Sequence, residues 1–215
     1  MRTLLLVVAL MSGSSAMAQP PAAIDSALAA YGRGEWAVAR KAFTRLAREG
    51  VPAAQYNLAV MQLRDEVPQP NPREALKLMT RAANGGFVTA MSGLGQMHEL
   101  GQAGLRVDLV EANRWYLQAA RAGSVDSQVA IATAFYLGRG AAKDAAQAAH
   151  WYRVAAQGGD VGAMYIYASM VEAGDGVERD LKEARYWYAV AARNGDEAAP
   201  GKVQELDAKL GAPAS

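Results

Sequence analysis

Between Val110 and Gly123 the small and large apolar residues fall at Ala112, Trp115, Tyr116, Ala119 and Ala120. Spaced i, i+3, i+4, i+7 and i+8, they share one face of an α-helix. That face alternates large and very small side chains. The small ones let a neighbouring helix come close, and the aromatics fill the space beside it. The pattern then recurs. A glycine closes each copy at Gly50, Gly86, Gly123, Gly159 and Gly195, in steps of 36, 37, 36 and 36 residues. Ala39, Ala75, Ala112, Ala148 and Ala184 hold one column. Trp115, Trp151 and Trp187 hold another, with Ala42 and Leu78 in the two earlier copies. Phe43, Met79, Tyr116, Tyr152 and Tyr188 form the next, and a pair running from Leu46-Ala47 to Ala191-Ala192 ends the face. The strict helical spacing assigns these aromatics to the core.

This helix, termed helix B, has a readable start. Asp108, Asp144 and Asp180 each precede a Glu or Gln by three residues, and Asn71 does the same with Pro72 at the first helical position. These are variants of the capping box. The closing glycine stands where a left-handed residue ends a helix. An apolar-rich helix A precedes each of the last four helices B, over 55–63, 91–100, 128–137 and 164–173. Its core column is Leu58, Leu94, Ile131 and Tyr167, each followed by a small residue. Glycine-marked turns join A to B, except for "RDEVPQPNP", whose prolines predict a stiffer turn.

A lone pair of short helices buries too little surface to be stable, whereas stacked pairs share a continuous core. The columns resemble the Sel1-like repeat family, relatives of the tetratricopeptide repeat. The resemblance is most specific in "AFYLGRGAAKDAAQAAHWYRVAAQGG" and "ASMVEAGDGVERDLKEARYWYAVAARNG", good over 90–123 and weaker over 54–86. The first copy, 27–50, is more similar to a tetratricopeptide unit. The expectation is an all-α, right-handed α-solenoid of about five helix–turn–helix repeats with a period of 36–37 residues. The repeats run over about 24–50, 51–86, 87–123, 124–159 and 160–195, with a capping helix within 196–211 and a tail at 212–215.

The resemblance implies a scaffold that binds proteins or peptides, of a kind often met in bacterial envelopes, and it names no partner. In the resembling tetratricopeptide fold, helix A lines the concave surface. Carried over by position, the stripe beside the core column comprises Tyr56 and Val60; Ser92, Gln96 and Glu99; Val129, Thr133 and Tyr136; and Tyr165, Ser169 and Glu172. Each set keeps the spacing of one helix face. Tyrosine offers a large contact area with one hydrogen-bonding tip, which suits peptide recognition. The competing reading is that these tyrosines pack between adjacent repeats.

Composition adds a setting. "MRTLLLVVAL" is one arginine and an apolar run too short to span a bilayer, and "SGSSAMA" ends in a small-residue cleavage pattern. Residues 1–18 are therefore expected to be a signal peptide cut after Ala18, which makes the protein periplasmic or secreted. Against 21 Asp and Glu stand 22 Lys and Arg, and removal of Arg2 leaves the charge balanced. That balance makes no case for nucleic acid or an anionic membrane as partner. With no second long apolar run, membrane insertion of the mature chain is not expected. The chain has no cysteine, so its core must hold it together without disulfides. Cysteine-rich proteins of this class have been connected with penicillin-like compounds; lacking their disulfides, this chain does not inherit that activity.

Candidate chemistry is sparse. The two histidines, His98 and His150, stand far apart, and neither metal-ligand spacing nor a nucleophile–base motif occurs. No cofactor, metal or catalytic residue is expected. The resulting expectation is an exported, non-enzymatic, monomeric scaffold; capped solenoids resist end-to-end growth. The alternative is a cell-wall-associated (peptidoglycan) enzyme or a glycan-binding protein. The enzyme would need converging carboxylates in a pocket.

Overall fold

Four of the five helices B named by the periodicity start at the capping residue read from the sequence. The computed structural model describes residues 21–211; the expected signal peptide and tail lie outside the described residues. Asp108 and Asp144 accept the N–H groups of Glu111 and Gln147, each at 2.9 Å. Asp180 accepts from Lys182 and Glu183, and Asn71 from Arg73 and Glu74. Ser124 and Asp160 cap two of the A helices in the same way. All four A helices begin three residues before the apolar runs that predicted them, at Pro52, Val88, Val125 and Val161.

Among the described residues there are eleven helices and no strand. They are α1 (Pro21–Gly32), α2 (Trp36–Arg48), α3 (Pro52–Leu63), α4 (Pro72–Asn84), α5 (Val88–Leu100), α6 (Leu109–Arg121), α7 (Val125–Leu137), α8 (Ala145–Gln157), α9 (Val161–Ala173), α10 (Leu181–Arg193) and α11 (Ala199–Leu210). The helices group into two units, α1–α5 up to Val107 and α6–α11 from Asp108.

The closing glycines do what their column predicts. At Gly159, φ is +96°, its N–H bonds the carbonyl of Ala156, and the next N–H, of Asp160, reaches back to Ala155. The same two bonds end α2, α4, α6 and α10, so the paired column of Leu46-Ala47 through Ala191-Ala192 supplies the acceptors of five Schellman turns.

In the first unit the predicted face of helix B is buried through Ala39, Phe43 and Leu46 on α2 and Ala75, Leu78, Met79 and Ala82 on α4. Tyr31 of α1 rests edge-on to Trp36 and hydrogen-bonds Glu66 of the proline-rich turn, at 3.0 and 2.8 Å to its two oxygens.

In the second unit Trp115 and Trp151 are buried, and Trp187 is only partly so. The reason lies in the core column of helix A. Tyr167 stands where the preceding pair has Ile131, and its hydroxyl is fixed to Glu183 at 3.0 Å. The larger ring takes space next to Trp187, which stands edge-on to it at 5.8 Å. The expected cap is α11. Asp196 starts it by accepting from Ala198 and Ala199, and its own Leu206 is fully buried.

Candidate binding surface

The predicted helix A stripe divides into residues locked inside the fold and residues left open. In the first unit Tyr56 and Val60, expected on the open stripe, are 3% and 1% exposed. Tyr56 lies against the ring of Phe87 at 5.2 Å, and burial raises its pKa. Phe87 occupies the position that follows a closing glycine, where the other copies have Val51, Ser124, Asp160 and Asp196. This one large residue closes over Tyr56 and removes it from the surface. On α5, Ser92, Gln96 and Glu99 remain partly exposed.

In the second unit the stripe is tied to helix B by tyrosine hydroxyls. Thr133 donates to the Val129 carbonyl at 2.8 Å, so its oxygen is free to accept from Tyr152 at 2.9 Å. One repeat on, Tyr188 donates to Glu172 at 3.0 Å. Burial, opposed by the hydrogen bond with Ser169 and reinforced by Glu172, pushes the Tyr188 phenol up to about 12. Tyr152 and Tyr188, read from the sequence as core filler, therefore have their rings in the core and their hydroxyls at the stripe. The signal was the recurrence of Tyr116, Tyr152 and Tyr188 where phenylalanine would pack as well: a buried phenol requires a partner.

Glu172 is drawn further into the fold. Lys202 and Lys209 of α11 reach it at 3.2 and 3.4 Å. Burial raises its pKa, but the bonds from Lys202, Tyr188 and Lys209 outweigh that, and the net shift is downward. Its carboxylate thus latches the capping helix. The side chains that stay presented on the second unit are Val129 and Tyr136 on α7 and Tyr165 and Ser169 on α9. Tyr136 has the Lys143 ammonium 5.7 Å above its ring, and Tyr165 stands edge-on to Tyr188 at 5.0 Å. These side chains can offer aromatic area, a hydroxyl and a cation on one stretch of surface. The described residues hold no group of three or more His, Cys, Asp or Glu placed to bind a metal, and none of their helices is long and apolar enough to cross a membrane.

A family model described as Sel1 repeat matches residues 52–87, 88–124, 125–160 and 161–196, so it covers every helix from α3 to α10. Among curated proteins, the localization factor PodJL of Caulobacter vibrioides is 46% identical over 43 residues, which are 20% of this chain and 4% of that protein. Two solved structures are similar over most of this chain. A protective antigen present in uropathogenic Escherichia coli strains, displaying an SLR fold, has a TM-score of 0.81 and 28% identity, over 91% of this chain and 43% of its own. A Sel1 repeat protein from Oxalobacter formigenes has a TM-score of 0.71 and 32% identity, over 79% of this chain and 49% of its own. The chain thus spans less than half the length of each of these three relatives.

Proposed function

Because this chain belongs to the Sel1 repeat family, we propose that it is an exported, non-catalytic scaffold that holds a protein or peptide partner in the bacterial envelope. The partner docks on the open helix A residues of the second unit. One observation carries this reading. Tyr152 and Tyr188 fix the neighbouring parts of the stripe, while Val129, Tyr136 and Tyr165, each packed on the core along one side, stay partly exposed and Ser169 is exposed, all on helices with side-chain caps. A rigid helix face with aromatic anchors binds with little ordering cost. The leader of one arginine and an apolar run, ending in Ala16-Met17-Ala18, supports export. Among the relatives, the name localization factor supports a recruiting role, and the description protective antigen supports an exported setting.

The test is affinity capture from an envelope extract with the mature protein and with a Tyr136→Ala/Ser169→Arg variant that melts at the same temperature. Loss of the captured protein in the variant is the expected result. Undiminished capture contradicts the assignment of this face.

A further inference from the structure

The first unit contains an open cleft of about 490 Å³ between α2 and α4, with α3 beneath it. That size is within the roughly 300–1,000 Å³ range of ligand sites. Leu58, Val67 and Leu78 form an apolar floor, and Arg40, Arg48 and Arg81 stand around it. Among the described residues no acid pairs with these three guanidinium groups. Glu49 is taken by Arg45 at 2.7 Å, and Glu74, in the cleft wall, is 3.9 Å from Lys77.

The repeat register explains why the space exists. Leu78 stands in the column that holds tryptophan in the three later copies. In the copy ending at Gly159, Trp151 replaces Leu78, Phe135 replaces Gln62 and Val154 replaces Arg81. Trp151 is buried, and Phe135 and Val154 pack against the core of the second unit. The first unit thus substitutes a shorter chain, an amide and an arginine for three residues that fill this space in the later repeat.

We propose that this cleft binds an acidic peptide segment bearing aliphatic side chains. Unpaired arginines around an apolar floor complement a ligand that alternates carboxylates with aliphatic groups. Guanidinium forks bind carboxylates bidentately. A nucleic-acid backbone would satisfy the arginines but leave the apolar floor uncovered. The open cleft favours an extended chain over an enclosed small molecule. The site is on a different unit from the helix A face and stands or falls independently of it.

Fluorescence anisotropy with a labelled Glu-Leu-Glu-Glu-Leu-Glu peptide tests the proposal on the whole protein. Binding should weaken as salt is raised. Arg40→Gln, Arg48→Gln and Arg81→Gln should each weaken it by about tenfold, the scale of one charge-assisted bond. Leu78→Trp and Arg81→Val, which copy the chain's own later repeat, should abolish or sharply reduce it while helical circular dichroism is kept; the second covers the case in which the first fails to fold. Equal binding of a Gln-Leu-Gln-Gln-Leu-Gln peptide, tighter binding of a single-stranded oligothymidylate, wild-type affinity in the folded variants, or no binding of the acidic peptide would each overturn the proposal.

Discussion

Replacing Gly176 by alanine should be among the most damaging single-methyl changes available to this protein. Gly176 lies in the turn after α9 with φ of +72°, and a Cβ built there would lie 2.2 Å from the carbonyl carbon and oxygen of Ala145, the first residue of α8. Two costs combine. Holding alanine in the left-handed region costs about 1–2 kcal/mol. The overlap is with backbone atoms, which cannot rotate away, so the turn or the start of α8 must move, at about 1–3 kcal/mol more. The expected loss is roughly 2–5 kcal/mol. Gly159→Ala is the control. Its φ of +96° is at least as unfavourable to alanine, yet nothing lies within 4 Å of its Cβ position, so it carries the conformational cost alone. Urea denaturation followed by tryptophan fluorescence reports mainly on the second unit, which holds three of the four tryptophans. Equal destabilisation by the two variants would refute the claim that the turn after one helix A is packed directly on the start of the preceding helix B.

Trp151→Ala should cost on the order of 3–5 kcal/mol, because Trp151 fills the space between repeats; an unchanged thermal midpoint would contradict its burial. Asp144→Ala should remove the cap of α8 and cost about 1 kcal/mol, read from the same denaturation curves, whereas Asp144→Asn should be nearly neutral. Stability should also fall as pH rises from 10 to about 12. The phenols of Tyr167 and Tyr188, raised by burial to about 12, keep protons that the unfolded chain releases near 10. Denaturation midpoints that stay level across that window, with tyrosinate absorbance appearing at 10, would show that these phenols are not held by the fold.

The repeating columns made the fold legible because each one repeats a physical requirement. A small residue is needed where helices meet, an acceptor where a helix begins and a glycine where it ends. What stayed hidden came from residues outside the columns. Phe87 buries Tyr56 from a position where no other copy has an aromatic. Glu172 looked like an open stripe residue until Lys202 and Lys209, on a helix beyond the last repeat, reached it. The absence of tryptophan at Ala42 and Leu78 was visible, but a column cannot say whether a smaller side chain leaves a void or lets neighbours collapse. The cleft beside Leu78 shows that here space is left. The tyrosine hydroxyls were concealed for the opposite reason: ring and hydroxyl belong to one residue but serve the core and the surface separately.

The claim that matters most is that the open part of the α7 and α9 face receives the partner. A photoreactive amino acid placed at Ser169, and separately at Gln157 on the exposed side of α8, tests it in living cells. A discrete crosslinked protein is expected from the Ser169 position and none from Gln157. A crosslink from Gln157 with none from Ser169 would contradict it.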